Sequence, residues 1–189
     1  SADIPSYIQK TPLLGVCYGA QLTVKEFGGK VEKSNKREYG RAKLHKQQDD
    51  ILLADVEDNS QVWMSHSDTI TQLPDGFDLL ATTASIPIAA FKRSTSNDQS
   101  STCFPLYGLQ FHPEVYHSTE GKKIIKNFLV NICGCQQNWT PSSFVHETVD
   151  ALKKQIGDAH VIMALSGGVD STVAATLISK AIGERLHGI

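Results

Sequence analysis

The chain has 189 residues, room for about one to one and a half ordinary domains. Hydrophobic residues make up 40% and charged residues 20%, a globular balance, and the formal net charge of -2 excludes binding to a nucleic acid or an anionic membrane driven by bulk charge. No apolar run reaches bilayer-spanning length, and Ser1-Ala2-Asp3-Ile4-Pro5 has neither the basic segment nor the apolar stretch of a signal peptide.

In chain order, Leu13-Leu14-Gly15-Val16-Cys17 reads as a short buried strand running into a sharp turn. Tyr18 to Phe27 reads as a helix stopped by Gly28-Gly29. Val31 to Pro74 has a strand-like pattern broken by turns, with Ile51–Val56 and Gln61–Ser65 the clearest strands, and Ile88–Phe91 is another strand. Ser94 to Thr102 has loop composition, and Leu106–Phe111 returns as a strand ending at His112-Pro113-Glu114. Ile124, Ile125, Phe128, Leu129 and Ile132 form a helical stripe that faces a core. A second helix starts at Thr140-Pro141, an N-cap followed by Pro at the first helical position, and ends at Gly157. Cys133 to Asn138, between these helices, marks a domain boundary, so the predicted domains are 1–138 and 139–189. Val161–Leu165 reads as a strand buried on both faces of a parallel sheet, and a helix runs from the following loop to about Ile182.

Four cysteines, Cys17, Cys103, Cys133 and Cys135, lack the spacing of a disulfide framework, which predicts reduced thiols and a cytoplasmic setting. Cys133 and Cys135 have no second ligand pair at finger-like spacing, so they read as two free thiols and no metal site is predicted from them.

Gly15-Val16-Cys17-Tyr18-Gly19 places a cysteine between glycines at a strand-to-helix junction. A nucleophile on such an elbow projects above the sheet, and its crowded backbone requires small neighbours. The helix N-terminus favours thiolate over thiol, and the Tyr18 N–H would face a developing oxyanion. A buried structural cysteine between two turn glycines fits the same five residues. A cysteine hydrolase also needs a base and a group to orient it. His112 and Glu114, at i and i+2 of an extended segment, point to the same face and offer both.

Together, Gly15 to Gln21 and Gly108 to Val115 resemble the motifs of the triad (class I) glutamine amidotransferases. The resemblance implies Cys17 as nucleophile, His112 as base, Glu114 as orienting carboxylate and Gln21 as a residue that holds the glutamine substrate. Trp63 to Asp68 resembles a further family segment lining the glutamine pocket, which adds Ser65, His66 and Asp68. Ser67 stands there where the family usually has Gly. The implied fold is α/β, a class I amidotransferase-like mixed sheet with flanking helices. The strands before Pro12 and the glycine-rich segment with the second oxyanion donor are expected to be missing.

Ser166, Gly167, Gly168, Val169, Asp170, Ser171 and Thr172 form a loop without the Gly-Lys-Thr of a Walker A sequence. It resembles the pyrophosphate loop of the N-type ATP pyrophosphatases, the first strand-loop-helix of a Rossmann-like adenine nucleotide α-hydrolase domain. Glycines let the backbone approach phosphates, and the helix behind presents free N–H groups to an anion. Ser166, Ser171 and Thr172 add hydroxyls, and Asp170 is expected to hold Mg²⁺ with the ATP or to brace the loop. An amidotransferase followed directly by this loop resembles the glutamine-hydrolysing GMP synthetases. That implies glutamine, ATP and xanthosine monophosphate (XMP) as substrates, and a homodimer in the complete enzyme, of which this chain is expected to be an incomplete piece. An amidotransferase serving another ATP-activated acceptor, or a non-catalytic ATP-binding module, are the alternatives.

Overall fold

The computed structural model describes residues 3–93 and 103–189, and the predicted loop Ser94–Thr102 lies outside them. The chain divides into two compact units, Ser1–Cys135 and Gln136–Ile189.

The first unit opens with the single turn α1 (Ile4–Tyr7), capped by the Asp3 carboxylate, which accepts from the Ser6 N–H at 3.1 Å. Strand β1 (Leu13–Val16) feeds helix α2 (Tyr18–Glu26), which stops where Gly28 takes φ +89°, a conformation that only glycine adopts freely. The long strand β2 (Lys30–Lys43) follows, then β3 (His45–Lys46), β4 (Gln61–Gln72), β5 (Phe77–Thr82), β6 (Ala90–Arg93) and β7 (Leu106–Leu109). β2 and β4 form a separate antiparallel ribbon. The other strands make a mixed sheet in the order β1-β7-β6-β5-β3, in which β1 and β7 run parallel and the remaining pairs antiparallel.

Side chains alternate between two cores because successive residues of a strand point to opposite faces. On β6, Ala90 joins a cluster with Leu44, Leu80, Leu109, Phe111 and Ile124, while Phe91 joins Ile4, Ala20, Val24, Ile70 and Leu106 on the α2 side. With both faces covered, β7 is buried throughout. Gly108 is its one position without a side chain, and a Cβ there would fall on the Phe91 ring.

Several elements differ from the sequence reading. Ile51–Val56 is no strand: Ile51–Leu53 is a 3₁₀ turn, started by the Asp50 side chain accepting from the Leu52 N–H at 2.8 Å. Leu52 and Leu53 are both fully buried, a neighbouring pair that a helical turn can point inward and a strand cannot. β4 continues to Gln72 rather than breaking at Ser65, since β2 pairs along its length, as in Lys33↔Asp68 and Val31↔Ile70. β6 covers 90–93 rather than 88–91. β7 ends at Leu109, two residues early.

The predicted helix over 124–132 is helix α3 (Gly121–Lys126) continued by a π-helical stretch, Asn127–Ile132. There the buried Asn127 amide donates to the carbonyls of Leu52 (3.1 Å) and Ala54 (2.8 Å). The change of winding turns Leu129 out of the stripe, and it is 45% exposed.

In the second unit, α4 (Pro141–Ile156) is followed by β8 (Val161–Met163), α5 (Val169–Ile182) and β9 (Leu186–Gly188), with β8 and β9 parallel. Thr140 and Ser143 form a reciprocal capping box at 3.0 and 2.9 Å, and Gly157 ends α4 at φ +59°. Thr140→Ala is expected to cost about 1 kcal/mol, read as a lower urea midpoint for the helical signal of the unit. The strand expected to be buried on both faces is covered on one. Val161 and Leu186 pack with Val149, Leu152, Leu177 and Ala181, while Ile162 is 72% exposed because no helix among the described residues covers its face. No helix among the described residues is long and apolar enough to cross a membrane.

Candidate active site

Parallel pairing of β1 with β7, in the register Val16↔Leu109, brings the carboxyl ends of two strands side by side. Sites in open α/β sheets form at such ends. Cys17 follows β1 directly. Its N–H donates to the Leu109 carbonyl at 2.7 Å, and its backbone takes φ +50°, ψ −103°, unusual for a residue with a side chain. This strained turn throws the chain from β1 into α2. A Cβ on Gly15 would lie 2.7 Å from the Gly19 carbonyl carbon, so the turn closes only over a glycine. A Cβ on Gly19 would meet nothing within 4 Å. The need for a small neighbour, expected on both sides of Cys17, thus applies to Gly15 alone.

His112 lies just beyond β7. The sequence places it on an extended strand with Glu114 two residues on. Instead the chain bends at Gln110 and Phe111 and turns at Pro113, so the side chains meet across a turn. The pairing is close all the same: His112 Nδ1 and Glu114 Oε1 are 2.6 Å apart. With Glu114 ionised, Nδ1 carries the shared proton and Nε2 is left as the basic nitrogen. The turn is fastened to the start of β4. His112 N–H donates to the Trp63 carbonyl (3.0 Å), the buried Ser118 hydroxyl donates to the His112 carbonyl (2.5 Å) and accepts from Trp63 N–H (3.1 Å), and Gln61 Nε2 donates to the His117 carbonyl (2.7 Å).

The Cys17 sulfur contacts the Ser65 carbonyl at 3.8 Å, and Gln110 Nε2 donates to it at 3.9 Å. No hydrogen bond joins it to His112 in this structure. Burial pushes the thiol pKa up, the Tyr18 backbone N–H pulls it down, and the Glu114 charge pushes it up further, with a net rise. The helix terminus therefore does not by itself make a thiolate, contrary to the sequence expectation: desolvation outweighs one aligned N–H. A base has to remove the proton.

The residues assigned to a glutamine pocket arrive differently from one another. The Tyr18 ring is 70% exposed, leaving its backbone N–H as the part directed at the sulfur. Gln21 is buried, and its Nε2 donates to the Asp68 carbonyl at 2.8 Å and to Gln110 Oε1 at 3.3 Å, so its amide nitrogen is bound inside the protein. Ser65 and Asp68 reach the site through backbone carbonyls. His66 is buried on β4, and Ser67 is exposed. Two residues in this neighbourhood, Gln110 and Ser118, escaped the sequence reading as site members. The β1–β7 register, once known, sets Gln110 opposite Cys17, but a motif alone does not supply a register.

In the second unit, the loop between β8 and α5 puts Gly167 at φ +75° and Gly168 at the N-cap of α5 without a side-chain cap. Its hydroxyls hold the loop itself: Ser171 Oγ and Thr172 Oγ1 donate to the Gly168 carbonyl at 3.1 and 2.8 Å, and Ser166 Oγ lies 3.1 Å from Ser171 Oγ. Asp170 is exposed and makes no hydrogen bond or ion pair among the described residues, so the bracing falls to the hydroxyls. Among the described residues there is no cluster of three or more His, Cys, Asp or Glu able to hold a metal, and Cys133 and Cys135 are free thiols.

Known proteins align with both units. A family model described as glutamine amidotransferase class-I matches residues 2–132, and one described as NAD synthase matches residues 143–189. A glutamine-hydrolysing GMP synthase of Cytophaga hutchinsonii is 49% identical over 185 residues, covering 97% of this chain and 35% of that protein. One of Porphyromonas gingivalis is 52% identical over 178 residues, covering 94% of this chain and 33% of that protein. The chain thus spans about a third of the length of the curated relatives it matches. Among solved structures, a putative GMP synthase protein from Thermoplasma acidophilum is 35% identical over 65% of this chain and 57% of its own, with a TM-score of 0.58.

Proposed function

The chain belongs to the class I glutamine amidotransferases, and from that membership we propose that its first unit hydrolyses glutamine and that the ammonia serves an ATP-dependent synthesis of GMP. What carries the reading is the strand register that sets the Cys17 elbow beside the turn holding the His112–Glu114 pair.

His112 Nε2 takes the proton from the Cys17 thiol, and the sulfur attacks the carboxamide carbon of glutamine. The Tyr18 N–H stabilises the oxyanion. His112 returns the proton to the leaving nitrogen, ammonia departs, and a γ-glutamyl thioester remains on Cys17. Water, deprotonated by His112, attacks the thioester to give glutamate and restore the thiol. Glu114 holds the imidazole in the required tautomer throughout. Glu114→Gln keeps the shape and removes the charge. It is expected to lower glutaminase kcat roughly 100-fold with little change in KM, measured as glutamate released.

The loop Ser166–Thr172 binds the phosphates of ATP. Its hydroxyls pre-set the backbone N–H groups that meet the anion, and the free Asp170 carboxylate, in the first turn of α5, suits a Mg²⁺ shared with those phosphates. A metal held by one carboxylate and the nucleotide needs no cage of protein ligands. The ATP adenylates XMP, releasing pyrophosphate, and ammonia displaces AMP to give GMP. The complete protein acts as a cytoplasmic homodimer. A second reading, in which the loop activates a different acceptor, draws on the match of residues 143–189 to NAD synthase.

The full reading frame carrying this segment is incubated with ATP, Mg²⁺, XMP and glutamine labelled with ¹⁵N at the amide. Label in the exocyclic amine of GMP supports the assignment. No GMP from XMP with either glutamine or ammonium, while glutamate still accumulates, removes the acceptor and leaves the glutaminase.

A further inference from the structure

Gln110 is completely buried, follows the last residue of β7, and has its backbone N–H tied to the Ala89 carbonyl at 2.8 Å. The β1–β7 register pairs Val16 with Leu109, so the next residue on each chain is Cys17 on one side and Gln110 on the other. The orientation of its amide follows from the chemistry of its neighbours. The Asp68 backbone carbonyl can only accept, so the group of Gln21 facing it at 2.8 Å is the NH₂. The second hydrogen of that NH₂ goes to Gln110 at 3.3 Å, which must therefore present its oxygen to Gln21. Gln110 then has its own NH₂ toward the sulfur, 3.9 Å away. A fixed backbone acceptor thus sets the polarity of the whole chain Asp68–Gln21–Gln110–Cys17.

On the reading that Cys17 is the nucleophile, we propose that Gln110 is a further catalytic residue, whose Nε2–H donates to the Cys17 sulfur and stabilises the thiolate, with Gln21 as the positioning residue that holds the Gln110 amide. The two contacts of the sulfur favour opposite protonation states. The Ser65 carbonyl at 3.8 Å accepts the S–H of the resting thiol and opposes a thiolate. The Gln110 N–H is a weak partner for a thiol and a better one for the anion, since hydrogen bonds to charged acceptors are the stronger kind. Once the thiol proton passes to His112, the Ser65 contact is lost and the Gln110 contact strengthens. The other groups acting on this thiol are Glu114, from the turn after β7, whose charge raises its pKa, and the Tyr18 N–H of α2, which lowers it. His112 receives the proton. Gln21 here has a purpose in the apoprotein, which explains a buried amide nitrogen bound to the protein.

The test uses Gln110→Met, which keeps the volume and removes the donor; Gln21 keeps its bond to Asp68, so no donor is orphaned. Iodoacetamide labelling of Cys17 is followed against pH by peptide mass, with Cys103, Cys133 and Cys135 in the same sample as internal references. The midpoint for Cys17 is expected to rise by about one pH unit while the references stay put, and glutaminase kcat in the full reading frame to fall about 10-fold with KM nearly constant. An unmoved Cys17 midpoint in the folded variant overturns the proposal, as does a KM increase at unchanged kcat, which would make Gln110 a substrate contact. Should Gln110→Met not fold, Gln21→Met leaves Gln110 in place but untethered, and the same midpoint must rise by a smaller amount; no rise there also overturns it. Failure of the nucleophile assignment is distinct: it appears as glutaminase activity surviving in Cys17→Ala, an outcome the labelling profile does not depend on.

Discussion

Cys17→Ala is expected to abolish glutamine hydrolysis in the full reading frame, by at least about 10⁴-fold in kcat, while ammonia-dependent amination of the acceptor continues. The size of the loss follows from chemistry: without the sulfur no thioester forms, and the remaining donors stabilise an oxyanion that no longer develops. The fold is expected to tolerate the change. Cys17 makes only long side-chain contacts, at 3.8 and 3.9 Å, and its positive φ is imposed by the turn, which an alanine also has to adopt. Comparing the rates with glutamine and with ammonium chloride as nitrogen source separates loss of the nucleophile from general damage. Equal loss of both would mean that Cys17 supports the structure rather than the first half-reaction.

The largest effect on stability is expected at Gly15. Alanine there brings its Cβ to 2.7 Å from the Gly19 carbonyl carbon and 2.8 Å from the Ala20 nitrogen, both backbone atoms of α2 that no rotamer change can move away. The helix has to shift off β1, loosening Ala20 and Val24 from their buried cluster. A cost of roughly 3 kcal/mol is expected, read as a lower urea midpoint. Gly19→Ala is the control. Its Cβ meets no atom within 4 Å, and replacing a helical glycine gains up to about 1 kcal/mol. The two variants alter the same motif by the same methyl group in opposite directions, so a similar loss in both would contradict the steric account of the elbow.

What could be read from residues alone depended on whether the deciding interaction was local. The α4 boundaries were legible because Thr140, Pro141, Ser143 and Gly157 carry their own start and stop signals. The Cys17 elbow was legible for the same reason, since its sharp turn, its flanking Gly15 and the start of α2 are consecutive. Ile51–Val56 was misread because an apolar run fits a strand and a buried turn equally, and the Asp50 cap tips the balance over two residues. The extent of β4 was hidden because a polar stretch, Ser65 to Asp68, is kept extended by its partner strand β2 more than thirty residues earlier. His112 and Glu114 meet, but across a turn closed by Trp63 and Ser118 rather than along a strand. Gln110 and Ser118 were invisible as site members because each contributes through a contact with a distant element.

The most direct measurement of the central claim is covalent labelling with an electrophilic glutamine analogue, read by peptide mass. The account predicts one label per chain, on Cys17, suppressed by glutamine and slowed in Glu114→Gln, with Cys103, Cys133 and Cys135 untouched. Label on one of those three cysteines, or glutaminase activity that persists after Cys17 is fully modified, would contradict it.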